Sequence, residues 1–137
     1  MGGKDSGFRE VEHTADWMLE VWAPSLSGLL EQAARGMYAL SGVEIKEGDR
    51  NFTSFELRAR DPEILLVRFL SELLYYGERE NIAFDTFELD HSGEVLKVRL
   101  GGAEIISVKK EIKAVTYHNL EVKQLVGGLE ASIVFDV

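Results

Sequence analysis

The 137-residue chain has no cysteine, which excludes disulfide staples, thiolate metal sites and cysteine nucleophiles. Proline is nearly absent: Pro24 and Pro62 are the only two, and no Pro- or Ser-rich linker breaks the chain. No run of eighteen apolar residues occurs, so no membrane-spanning helix is expected. The opening stretch Met1 to Gly7 has no apolar core and does not read as a signal peptide. Positive charge is in short supply, with 15 Lys and Arg against 24 Asp and Glu and a net charge of −9. Such a field repels phosphates, so tight direct binding of nucleic acid is not expected, whereas a basic protein surface or a cation fits. Acidity that serves only solubility is the blander reading of the same number. Neither GxxxxGK[ST] nor GxGxxG is present, and His91 beside Ser92 in a turn is poor geometry for a base and its nucleophile. No catalytic pair emerges, so an enzyme is not expected. Cytoplasmic location is expected, on the weak ground of absent cysteine.

What is present suffices for a core: 45% of residues are hydrophobic. The length favours one domain, expected over residues 8–137 after a loose tail at 1–7. Phe8 to Val11 reads as a short strand, and Trp17 to Ala23 alternates with Trp17, Leu19 and Val21 on one face. From Leu26 the spacing turns helical through Leu29, Leu30, Ala33, Met37 and Leu40, and Gly42 supplies a left-handed cap. Asn51 to Arg60 alternates again, with Thr53, Phe55, Leu57 and Ala59 expected inside. Asp61-Pro62-Glu63 is a strong helix start, Leu66, Phe69, Leu70, Leu73 and Leu74 form its stripe, and Gly77 is expected to stop it. Strands follow at 82–89, 95–100, within 105–115, 120–125 and 129–135, with hairpin turns at Asp90 to Gly93 and at Gly127-Gly128. Strands clustered late, with two separated helices, predict an α+β fold: two layers, a mixed β-sheet with both helices packed on one face.

Three constellations carry potential chemistry. Glu12-His13-Thr14-Ala15-Asp16 puts an imidazole and a carboxylate at the mouth of a strand. Such a cluster is either a turn that caps its own backbone or part of an oxygen-rich metal site, with His13 as orienter or extra ligand. Asp oxygens suit Ca²⁺, Mg²⁺ or Mn²⁺, and His13 would admit Zn²⁺. At the other end, Asp136 and Val137 follow an apolar strand that runs to Phe135. Either this end is frayed and solvated, or it is held; if it meets the His13 cluster, several acids converge and call for a cation or a base among them. Lys109, Lys110, Lys113, Tyr117 and His118 form the one locally basic stretch, read either as a solvated strand face or as a surface for an anionic ligand, RNA or a partner.

These segments resemble the archease family. The resemblance rests on Glu12-His13-Thr14-Ala15-Asp16, on Ala33 to Leu40 in the first helix, on Leu70 to Tyr75 in the second, on Lys113-Ala114-Val115-Thr116-Tyr117-His118, and on Phe135-Asp136-Val137. It covers nearly the whole chain from Phe8. Trp17 departs from it, because smaller aliphatic residues are common there. The resemblance implies a small accessory protein rather than an enzyme. Its partner would be an RtcB-type RNA ligase, which joins tRNA halves and other RNA ends with GTP and a divalent metal, and whose guanylylation and multiple turnover it would promote. An alternative implied role is chaperone or specificity modulator of a tRNA cytosine methyltransferase. It also implies a divalent cation, usually calcium, held by Asp16, Asp136 and the carboxylate of Val137, with His13 near the ligands. Lys113, Tyr117 and His118 are the candidates for partner binding.

Overall fold

The computed structural model describes residues 5–11 and 17–137. Among them the chain runs β1 (Gly7–Val11), β2 (Trp17–Ala23), α1 (Leu26–Ser41), β3 (Glu44–Ile45), β4 (Asn51–Arg58), α2 (Pro62–Glu80), β5 (Ile82–Ser92), β6 (Val95–Ser107), β7 (Ala114–Val115), β8 (Lys123–Leu125) and β9 (Gly128–Asp136). This is the α+β class expected, with two helices. The strands divide between two sheets, and every pairing among the described residues is antiparallel.

The first sheet runs β1-β2-β9-β7, with β8 also on β9. β9 is central because its alternation buries Ala131, Ile133 and Phe135 against the core. In the second sheet β6 is central, flanked by β4 and β5, while β3 pairs with its last residues. β5 carries a bulge: Phe84 pairs with Gly102 and Thr86 with Gly101, so Asp85 has no partner across the ladder. Asp85 is thereby free to take Arg50, which donates two 2.9 Å bonds to its carboxylate. Gly102 is required here, since a Cβ would lie 2.4 Å from the Ala83 carbonyl oxygen.

One core joins both sheets and both helices. It includes Leu19 and Val21 of β2, Leu29, Leu30 and Met37 of α1, Leu66, Phe69 and Leu70 of α2, Leu96 and Leu100 of β6, and Ile133 and Phe135 of β9. At roughly 1.5–3 kcal/mol for each large apolar side chain buried, this cluster dominates what holds the fold. α1 starts where Ser25 Oγ accepts the Gly28 N–H at 3.1 Å, and ends at Gly42 with φ 63°.

α2 departs from expectation at its end. Gly77 does not stop it; the helix continues to Glu80 and is capped by Asn81, at φ 57°. The Asn81 N–H returns to the Gly77 carbonyl at 3.2 Å, its own carbonyl accepts the Ile105 N–H at 2.8 Å, and its side-chain amide donates to the Ile105 carbonyl at 3.3 Å. These bonds to β6 set the helix end, and β6 lies 24 residues away in sequence. β6 itself extends past the expected Leu100 to Ser107, because β5 and β3 continue to pair with it.

Candidate functional site

The end of β9 is held on both sides. Towards β2, Trp17 pairs with Phe135 and Met18 with Val134. Towards β7, Ala114 pairs with Asp136 and Val115 with Phe135. The Lys113 N–H donates to the Asp136 carbonyl at 2.7 Å. Val137 is half-buried and packs against the core, while the Asp136 side chain is exposed. β-strand alternation explains this: Phe135 points in, so Asp136 points out.

The loop after β7 is built on one hydroxyl. Thr116 donates both its N–H and its Oγ1–H to the Val134 carbonyl, each at 3.0 Å, and Oγ1 accepts the His118 N–H at 3.2 Å. Tyr117 to Leu120 then close a turn, with the Leu120 N–H on the Tyr117 carbonyl at 3.0 Å and Asn119 in the left-handed region at φ 52°. His118 Nε2 and Asn119 Nδ2 lie 3.3 Å apart. The turn leaves Tyr117 and His118 exposed on the loop that leads from Lys113, itself exposed beside the Asp136 backbone. Lys110, named in the basic stretch, has its Nζ 4.7 Å over the Trp17 ring, a contact with no short-range signal in the sequence. Trp17 therefore has a partner in the basic stretch.

Of the expected metal residues, Asp136 and Val137 stand together at the end of β9. Glu12 to Asp16, and with them His13 and Asp16, lie outside the described residues. Chain connectivity nevertheless links Asp16 to Trp17, whose register partner is Phe135. Among the described residues no group of three or more His, Cys, Asp or Glu side chains is placed to hold a metal. The Asp136 carboxylate makes no hydrogen bond or ion pair among the described residues, whereas Asp85 is bound by Arg50 and Glu88 by Arg99. The Asp136 oxygens are hard donors of the type that Ca²⁺, Mg²⁺ or Mn²⁺ takes.

The chain matches the profile of the Archease protein family (MTH1598/TM1083) over residues 8–137. It is 32% identical to protein archease of Methanosarcina barkeri over 148 aligned positions, covering all of both chains. It is 33% identical to protein archease of Archaeoglobus fulgidus, over 95% of this chain and 98% of that one. Two solved structures share the fold. A Thermotoga maritima archease, described as a possible chaperone, superimposes with a TM-score of 0.71 at 23% identity, over 94% of this chain and 96% of that one. Methanobacterium thermoautotrophicum protein 1598 gives a TM-score of 0.71 at 21% identity, over 96% and 99%. With the family profile spanning the chain from Phe8 to its last residue, the chain belongs to the archease family.

Proposed function

We propose that this chain is a protein cofactor of an RtcB-type RNA ligase, promoting its guanylylation and multiple turnover through a divalent-cation site at the end of β9. The observation that carries the proposal is membership of the archease family over residues 8–137. The geometry of the Phe135-Asp136-Val137 end adds to it. β2 and β7 pair with Phe135 on both sides and β7 also with Asp136, so Asp136 is presented at the end of a paired strand, with its carboxylate unclaimed among the described residues. Asp136, the Val137 carboxylate and Asp16 would hold the cation, with His13 close by; calcium is the first candidate, magnesium and manganese the others. When bound, the cation supplies positive charge that can offset clustered carboxylates and polarise a phosphate oxygen. The chain's own residues do the positioning: Lys113 holds the Asp136 carbonyl, and Lys110 and Trp17 brace the start of β2. Lys113, Tyr117 and His118 would face the partner.

The net charge of −9 argues that the ligase, not RNA, is what the chain meets. The deciding experiment follows RNA joining by a purified RtcB-type ligase with and without this protein. Conversion from single to multiple turnover is expected. Tight binding of the isolated chain to RNA, with ligation unchanged, would reject the reading. The alternative role, as chaperone or specificity modulator of a tRNA cytosine methyltransferase, is in keeping with the description of the Thermotoga archease as a possible chaperone. It predicts instead a change in the position methylated on tRNA when the chain is added to that enzyme.

A further inference from the structure

A groove of about 570 Å³ opens between the C-terminal ends of α1 and α2, the end of β6 and the loop that follows it. Its walls are apolar, with Met37, Tyr38, Leu73, Leu74, Ile105 and Ile112 among them, and Gly77 of α2 also lines it. Neither backbone conformation nor crowding explains this glycine. It is helical, it is not among the positive-φ residues, and an added Cβ would meet nothing nearer than Ile105 Cδ1 at 3.7 Å and the Ile82 carbonyl oxygen at 3.8 Å. Glycine inside a helix costs stability, and here it leaves this part of the groove wall without a side chain. Tyr38 contributes to the wall, while its hydroxyl is buried away from solvent; burial pushes its pKa well up, opposed in part by a hydrogen bond with the Phe84 backbone.

The charges at the mouth indicate what would enter. Lys110 and Lys113 line the groove, together with Glu78 and Glu111, and Lys109 packs across Gly42 beside it. Three lysines within five residues stand against a chain of net charge −9. The groove is open along one side, where Val108 is 47% exposed on the lip. A small molecule sealed in a cavity would leave that lip bare, whereas an extended segment would cover it.

We propose that this groove docks an acidic segment of a partner protein, with one large apolar side chain seated in the slot and flanking carboxylates on Lys109, Lys110 and Lys113. The proposal rests on the accessory reading for the partner's identity. It adds a link to the site at the end of β9: Lys113 lines the groove while its N–H holds the Asp136 carbonyl, and Lys110 lines it while sitting over Trp17. A docked segment therefore orders the loop that borders Asp136.

The test is an amide chemical-shift titration of the full chain with an acetylated, amidated peptide of four Glu around one central Phe. Shifts confined to Val43, Gly77, Asn81, Ile105 and residues 108–113 are expected. Gly77→Phe fills the slot from a helical position and should lower affinity at least about tenfold while the fold stays intact. Gly77→Ala leaves most of the groove open and should retain binding. Equal binding of a peptide with Ala for Phe, or no effect of Gly77→Phe, would overturn the proposal. So would equally tight binding of octanoate, which would assign the slot to a small amphiphile, or self-association of the chain through this face. The two readings fail separately. Peptide binding without any effect on a ligase supports the groove and rejects only the ligase role. Ligase activation that persists in Gly77→Phe, with no peptide shifts, rejects only the groove.

Discussion

On the outer face of β4–β6–β5, Arg99 reaches Glu88 at 2.6 Å and lies 3.8 Å over the Phe52 ring, and Arg50 grips Asp85 with two bonds. At the end of β9, by contrast, neither the Asp136 carboxylate nor Lys110 and Lys113 take part in an ion pair among the described residues. Glu88 and Arg99 meet across neighbouring strands and Arg50 reaches Asp85 from just before β4, and each exposed pair is worth little. Other exposed acids are also unpaired, so lack of a partner does not by itself mark a site. What sets Asp136 apart is its place next to Phe135, which is paired on both sides, with its own backbone held by β7 and its side chain left unclaimed among the described residues. The first sheet also pairs charges, Arg9 with Glu20 across β1 and β2, so the contrast is between paired positions within the strands and the unpaired carboxylate at the end of β9.

The largest expected effect breaks the second sheet. Gly102→Ala drives a Cβ to within 2.4 Å of a backbone oxygen and should cost about 3 kcal/mol, read by urea denaturation. Because both sheets share a core, the loss should appear as one transition; two separate transitions would mean that the sheets are independent.

Next in size is the β9 end itself. Asp136→Asn should weaken Ca²⁺ or Mn²⁺ binding about tenfold or more by calorimetric titration, roughly 1.4 kcal/mol. Stability in chelator should hold or rise if the proposed site gathers several acids, because one of them is neutralised. A few neutral residues added after Val137 should act similarly, while an N-terminal tag should not. Unchanged cation affinity in both altered forms would place this end with the self-paired charges of the second sheet.

Lys110→Ala removes the cation from the Trp17 ring and should cost about 0.5–1 kcal/mol. If Lys110 also braces the site, cation affinity should fall with it; an equal stability loss without that fall makes the contact purely structural.

The smallest effect concerns the second sheet's own pair. Hydrogen bonding to Arg50 holds the Asp85 carboxyl below the ordinary carboxylate range, against a smaller opposing effect of burial. A folded-state pKa below the unfolded one stabilises above the unfolded pKa, near 4, and that contribution is lost as pH falls through the folded value. Wild type should therefore melt higher than Asp85→Asn at pH 6, with the gap closing below about pH 4. A gap that stays constant with pH would show that the pair contributes nothing.

Much of this was legible locally. Alternation at Trp17 to Ala23, the helical stripe from Leu26 to Leu40, the cap at Gly42 and the start at Asp61-Pro62 depend on residues a few positions apart, and the structure has each of them. Composition alone disfavoured thiol chemistry and attraction to phosphates. The tertiary structure decided the rest, because its causes lie far apart along the chain. Nothing near Gly77 announces that Asn81 will pair with Ile105 and carry the helix onward, or that the glycine lines a groove. Nothing near Trp17 announces Phe135 across the ladder or Lys110 over its ring. Residue types and short-range periodicity determined which elements form and which chemistries are open. Long-range register, whose contacts have no short-range signal, decided that the strands split into two sheets and that Asp136 ends on a strand fixed from both sides.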